Sequence, residues 1–169
     1  SETYKPSPSF VSIHLGVEKT LISNNFNCHH IIVEDWDELE NEKGVIFISI
    51  PTLLDASLAP EGKHIIHAFT PSSIDEWENL SRKEYLQKKE EYFSFLLEKI
   101  SKLLPNLDQN IDHKEIGTPK THRKFLGRYD GTYGPIPNKK LLGLLPMPFN
   151  TTKIKNLYCV GDSCFPGQG

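Results

Sequence analysis

The residues best placed to do chemistry lie near the end of the chain, where the apolar run Leu157-Tyr158-Cys159-Val160 leads into Gly161-Asp162. Such a run reads as a short buried strand that delivers a carboxylate to the carboxyl edge of a sheet, where ligands of α/β folds bind. Gly161 permits close approach of the backbone to a ligand. The Asp162 carboxylate can accept hydrogen bonds from sugar or polyol hydroxyls. Phe165-Pro166-Gly167-Gln168-Gly169 then points toward a helix start, whose first N–H groups would face a polar ring edge or a phosphate. On pattern alone, a plain turn with Asp162 as N-cap is the commoner meaning of Gly-Asp.

The seven histidines invite metal or catalytic readings, but their spacing does not favour them. His29 and His30 are adjacent, and His64 and His67 are three apart, so on strands each pair points to opposite faces. No metal site is expected. Cys28, Cys159 and Cys164 are few and odd in number, as reduced thiols are. His122 and Arg123 flank a Pro/Gly-rich stretch. They read as a solvated basic helical turn or, alternatively, as lining of a ligand cavity. Tyr133, in Gly-Thr-Tyr-Gly-Pro, either walls a channel with its aromatic face or packs as loop core. Ser163 and Cys164 follow Gly-Asp, yet neither sits in a G-x-S-x-G elbow, and no nucleophile–base set emerges.

These residues need a scaffold, and the periodicities supply one. Val11, Ile13, Leu15 and Val17 alternate with Ser12, His14 and Gly16, which predicts a half-buried strand. His29–Val33 and His64–Thr70 read as further strands, and Ile111–Gly117 as another. Val45–Ile50 is continuously apolar but for Ser49 and reads as a strand buried on both faces. Asp35–Glu42 reads as a short helical turn. Ser81 with Glu84 forms a capping box, which predicts a helix from Arg82 to about Leu104. Glu84 with Lys88, and Glu98 with Lys102, have the spacing of supporting ion pairs. Short connections between strands imply an α+β fold: a mixed or antiparallel sheet of about five strands covered by the long helix. Residues 127–148 lack a period but are rich in Gly, Pro and apolar side chains, which predicts an ordered functional loop.

Composition narrows the class. The chain has 169 residues, with 19 basic against 22 acidic and no like-charge block, so it carries no nucleic-acid footprint. No apolar run reaches the length of about 18 residues that a membrane span needs. The Ser1-Glu2-Thr3-Tyr4-Lys5-Pro6 start has no secretory pattern, so secretion is not expected. A start without Met and a finish inside a motif suggest a chain cut from something longer.

Several stretches, in order, resemble the carotenoid isomerase (prolycopene isomerase) branch of the phytoene desaturase-like, amine-oxidase-like flavoproteins. They include 4–10, Ser49-Ile50-Pro51-Thr52-Leu53-Leu54-Asp55, 57–62, 117–128, Gly131-Thr132-Tyr133-Gly134-Pro135-Ile136-Pro137, 146–150 and 158–169. The resemblance implies a substrate-binding domain over residues 1–116 and, over 117–169, a return segment into an FAD-binding domain, with a carboxy-terminal strand and loop. It assigns Asp162 to the ribityl chain of FAD and Gly161 to close approach, and it places Phe165, Gly167, Gln168 and Gly169 near the flavin ring. His122, Arg123 and Tyr133 become candidates for lining a carotenoid cavity. The implied activity is conversion of poly-cis carotenes to the all-trans form, in a cytoplasmic or plastid protein with peripheral membrane contact and no evident protein partner. A carotene desaturase, a retinol-saturase-like reductase and a non-catalytic binding domain are the rivals. The dinucleotide fingerprint GxGxxG is absent from all 169 residues. The chain alone is therefore expected to be inactive and to retain little or no FAD.

Overall fold

The computed structural model describes residues 4–23, 25–39, 41–137 and 148–165, with Tyr4, Lys5 and 135–137 described in backbone only. Strands are β1 (Tyr4–Pro6), β2 (Ser9–Glu18), β3 (His29–Val33), β4 (Val45–Ser49), β5 (Lys63–Ser72), β6 (Ile111–Gly117) and β7 (Pro135–Pro137). Helices are α1 (Asp75–Glu78), α2 (Arg82–Ser101) and α3 (Pro119–Leu126). The main sheet has five strands in the order β3-β4-β5-β2-β6, and every neighbouring pair is antiparallel. The fold is α+β, and the sheet is antiparallel where the sequence left mixed pairing open.

Period-two alternation gives the sheet two unlike faces. On one face Ile13, Leu15 and Val17 of β2, Ile46 and Ile48 of β4, and Ile66 and Ala68 of β5 are buried. The helix α2 covers that face through Leu96 and Ile100, with Leu104 and Leu107 just beyond its end. A second cluster joins Val11, Trp77 and Tyr92 where α1 meets α2 and β2. Phe47 and Ser49 on the opposite face of β4 are only half-buried. The continuous run Val45–Ile50 therefore does not mark a strand buried on both sides. Short apolar runs cannot distinguish full burial from an aromatic surface.

The capping box at Ser81 forms as expected. Its hydroxyl accepts from the Glu84 N–H, and the Glu84 carboxylate accepts from the Ser81 N–H. Because Glu84 is committed to the cap, Lys88 pairs with Glu76 at 2.7 Å instead, whereas the Glu98–Lys102 pair forms at 3.6 Å. The helix stops at Ser101, and Leu103 and Leu104 continue as a turn. Ser81→Ala should lower stability by about 1 kcal/mol, the usual value of a lost N-cap, readable in a urea titration. Asp35–Glu42 is not helical in its described residues: it forms bends and turns between β3 and β4, with the Asp35 carboxylate accepting from the Asp37 N–H. A 3₁₀ turn at Tyr129–Gly131 leads to β7, which pairs with β1, while 138–147 lie outside the described residues.

Candidate functional site

The sheet face away from α2 is the chemically unusual surface. Cross-strand register sets His14 opposite His67, and Phe47 opposite Phe69. The two imidazoles stack at 4.5 Å and 13°, and the two phenyl rings at 4.9 Å and 14°. Phe10 meets Phe69 edge-on at 5.6 Å. It also stacks with His122 at 4.0 Å and with Tyr133 at 4.4 Å, and since a ring has two faces, Phe10 is sandwiched between them. The result is a continuous patch of aromatic and imidazole rings bordered by α3 and by the turn that carries Tyr133.

Helix α3 is placed by its N-cap Thr118, whose hydroxyl accepts from the Thr121 N–H, with Pro119 at the first helical position. The turn puts His122 inward, 8% exposed, and Arg123 outward, where it pairs with Glu78. His122 is thus not a solvated residue, because its ring is covered by Phe10. Arg123 does sit on a solvated flank and does not join the aromatic face. The Nε2 atom of His122 is buried and has no hydrogen-bond partner among the described residues.

Desolvation on this face lowers all three imidazoles from their ordinary value. Desolvation, reinforced by neighbouring His14 and His122, pushes His67 down to about 4. Desolvation also lowers His122, and it lowers His14 against the opposing pull of Glu115. Burial pushes the Tyr133 hydroxyl up to about 12. The folded chain therefore resists protonation at His67 from its ordinary 6.5 down to about 4. The unfolded chain takes up that proton first, so stability is full above this window and is lost as pH falls through it. After discounting for partial exposure, the protein should be about 1–2 kcal/mol less stable near pH 5 than near pH 8 from His67 alone. Urea denaturation at both pH values measures this, and His67→Gln should flatten the dependence. An unchanged slope in that variant would mean that the imidazole titrates as it does in water.

The Gly161-Asp162 turn is held differently from its sequence expectation. Residues 157–160 form no strand: the one bridge there joins Thr151 to Tyr158, and Val160 is 90% exposed. Asn150 substitutes for a sheet partner. Its carbonyl accepts from the Cys159 N–H at 2.7 Å, and its side-chain amide donates to the Cys159 carbonyl at 3.2 Å. An apolar run signals a need for cover, but among the described residues its strand pairing is the single Thr151–Tyr158 bridge. Gly161 has φ +125°, in the region that favours glycine, with nothing within 4 Å of where a Cβ would lie. Asp162 Oδ2 pairs with Arg128 Nη2 at 2.5 Å, while among the described residues Oδ1 has only a 3.4 Å contact from the Ser163 hydroxyl. Oδ1 thus keeps acceptor capacity. An open backbone and a fixed, partly exposed carboxylate fit the polyol arm of a flavin. The chain offers no glycine-rich fingerprint for the pyrophosphate. Phe165 is exposed beside Phe149, with centroids 6.0 Å apart, and Gly167, Gln168 and Gly169 lie outside the described residues. Among the described residues no His, Cys, Asp or Glu cluster could hold a metal, and the three cysteines are free thiols.

Sequence reasoning gave no site role to Phe10, His14, Phe47, Phe69 and Arg128, and it weighed His67 only as a metal ligand and set it aside. A usable signal existed in the alternation, which puts Phe10, Ser12 and His14 on one side of β2, and Ile65, His67 and Phe69 on one side of β5. Aromatic rings where a one-sided sheet should be polar mark a surface that meets something.

An antiparallel sheet with a helix on one face, rings on the other and a Gly-Asp turn beyond is consistent with part of an amine-oxidase-like fold. Over 170 aligned residues, 99% of this chain, it is 55% identical to prolycopene isomerase, chloroplastic, of Arabidopsis thaliana. It is 58% identical over 168 residues to prolycopene isomerase 2, chloroplastic, of an Oncidium hybrid cultivar. A 4,4'-diapolycopen-4-al dehydrogenase of Metabacillus indicus is 24% identical over 180 residues, covering 100% of the chain and 35% of that relative. The chain spans 29% of the length of each of the two plant relatives, so it corresponds to one stretch of them. No family model matches the chain.

Proposed function

We propose that this chain is the substrate-facing stretch of a flavin-dependent carotenoid cis–trans isomerase that converts poly-cis carotene, such as prolycopene, to the all-trans form. The observation that carries the reading is 55–58% identity, over 98–99% of the chain, to proteins named prolycopene isomerases. Residues 1–116 act as the substrate domain, and 117–169 return toward the FAD-binding domain. The plant relatives are named as chloroplastic, which favours a plastid location. No helix among the described residues is long and apolar enough to cross a membrane. The insolubility of a carotene favours peripheral contact with the membrane that stores it.

The aromatic face suits a polyene. Phe10, Phe47, Phe69 and Tyr133 offer π-faces and apolar area to a conjugated chain. His14, His67 and His122 are held neutral, so no cation there needs solvating when a hydrocarbon displaces water. Asp162 would accept hydrogen bonds from hydroxyls of the cofactor's ribityl arm and Gly161 would let that arm approach, while the resemblance assigns Phe165, Gly167, Gln168 and Gly169 to the flavin ring. The chemistry a reduced flavin supplies when bound is transient electron or proton exchange with the polyene, with no net oxidation. The protein's part is to hold the substrate in a dry slot against the cofactor so that a carbon–carbon bond can rotate.

The test is product analysis with the full-length protein that carries this stretch, loaded with reduced FAD and given a poly-cis carotene. Unchanged mass with a shifted absorption spectrum supports isomerisation. A change of two hydrogens identifies a desaturase or a reductase instead, and a purified protein that holds no flavin sinks the reading.

A further inference from the structure

We infer that Arg128 is a positioning residue that locks the Asp162 carboxylate to the turn carrying Tyr133, and so couples the cofactor seat to the aromatic substrate face. This rests on the reading of Asp162 as the acceptor for the flavin's polyol arm. The Arg128 guanidinium serves three acceptors: Asp162 Oδ2 at 2.5 Å, the Thr132 carbonyl at 3.3 Å and the Tyr133 carbonyl. Its side chain is 31% exposed and that of Asp162 is 24% exposed, so the pair is partly withdrawn from water. A planar fork with several fixed donors can satisfy a carboxylate and two carbonyls together, which a lysine ammonium cannot do in the same geometry.

The contact is tight on both sides of the guanidinium. A Cβ on Gly134 would lie 3.0 Å from the Asp162 carbonyl oxygen, so the two turns touch through backbone. Ser7 clamps the Tyr133 turn from the other flank: its Oγ accepts from the N–H groups of Tyr133 at 3.0 Å and Gly134 at 3.2 Å. The Ser7 N–H in turn donates to the Gly134 carbonyl at 3.0 Å. The Tyr133 ring then rests on Phe10, whose other face holds His122. Packed groups thus run without a gap from the carboxylate to the sheet. Without the guanidinium, a carboxylate and two carbonyl oxygens would face one another with no donor between them. The carboxylate would turn toward solvent, and the Tyr133 turn would lose its anchor at that end.

The experiment compares FAD affinity, read by flavin fluorescence, in the full-length protein and in its Arg128→Gln, Arg128→Lys, Asp162→Asn and double Arg128→Gln/Asp162→Asn forms. The protein also carries 3-fluorotyrosine, so that fluorine NMR reports on Tyr133. Arg128→Gln should weaken FAD binding about tenfold, with Arg128→Lys in between. The double variant should be no weaker than about threefold beyond the worse single one, because the residues act as a unit. The Tyr133 signal should shift in Arg128→Gln even without flavin, because its ring moves relative to Phe10. If Asp162→Asn weakens FAD binding but Arg128→Gln does not, the inference falls and the reading of Asp162 stands. If Asp162→Asn leaves affinity unchanged, the reading of Asp162 falls and takes the inference with it. Fully additive losses, or an unmoved Tyr133 signal, overturn the coupling. Should Arg128→Gln fail to fold, Arg128→Lys carries the same comparison.

Discussion

Trp77→Ala should destabilise the protein by about 3–5 kcal/mol, the range for emptying a large aromatic site in a core. The Trp77 side chain is completely buried, packed edge-on to Tyr85 at 5.6 Å and tilted against Tyr92 at 5.5 Å. Its Nε1 donates to Ser72 Oγ at 2.9 Å, and Lys88 Nζ lies 5.3 Å from its ring centroid. Removing the indole therefore loses apolar area, aromatic contacts and a buried donor together. A domain of this size has about 5–15 kcal/mol in all, so the variant stands near the edge of folding. The melting temperature should fall by roughly 10 °C or more. Trp77→Phe keeps most of the area and loses only the donor, and Ser72 still meets the Tyr92 hydroxyl at 3.0 Å, so its cost should be well under half. Equal losses in the two variants would put the stabilisation in the Nε1 hydrogen bond and not in the ring.

The same residue links stability to the candidate site. Lys120 on α3 donates to the Trp77 carbonyl at 3.2 Å, and Arg123 on α3 pairs with Glu78 on α1. The helix that presses His122 onto Phe10 is thereby seated on the Trp77 cluster. A loosened cluster lets α3 move, so the aromatic sandwich should loosen with it.

The main sheet and its covering helix are legible in the sequence because those elements announce themselves locally, whereas the short β1 and β7 carry no such pattern. Alternation marks β2 and β5, the capping box marks the start of α2, and Pro119 after Thr118 fits the start of α3. The long helix differs from its expected end by three residues, Ser101 against Leu104, because terminal turns continue the apolar spacing without continuing the hydrogen bonds. The site is much less legible. His14 meets His67, and Phe47 meets Phe69, only through cross-strand register, which depends on turns between distant segments and not on spacing within a strand. Phe10 meets His122 and Tyr133 because β2 runs beside β6, which delivers α3. No local pattern encodes that meeting. Leu157–Val160 fails for the opposite reason: its composition fits a buried strand, but burial depends on a partner, and Val160 stands 90% exposed. Arg128 lies in a stretch that carries the resemblance, but nothing local marks its role, since an arginine before a Tyr-Asp-Gly turn looks like any surface cation.

Asp162→Ala should weaken FAD binding to the full-length protein by about 10- to 100-fold. Hydrogen bonds to a charged group contribute about 1.5–3 kcal/mol, and each 1.4 kcal/mol is tenfold in affinity. Three features suit the carboxylate to the role proposed for it: Gly161 at φ +125° opens the backbone beside it, Arg128 fixes Oδ2, and Oδ1 retains acceptor capacity. Asp162→Asn should fall between wild type and Ala, because the amide oxygen can still accept a hydroxyl while the charge that holds Arg128 is gone. Folding is not at stake to the same degree, since 157–162 are exposed or only half-buried and lie outside both hydrophobic clusters. The melting temperature of the flavin-free protein should therefore shift by only a few degrees. Equilibrium dialysis with FAD against the purified variants measures the effect. If Asp162→Ala keeps FAD within about twofold of wild type while the flavin-free protein stays folded, the carboxylate does not touch the cofactor. The resemblance of the Gly-Asp turn to a flavin seat would then reflect turn geometry alone.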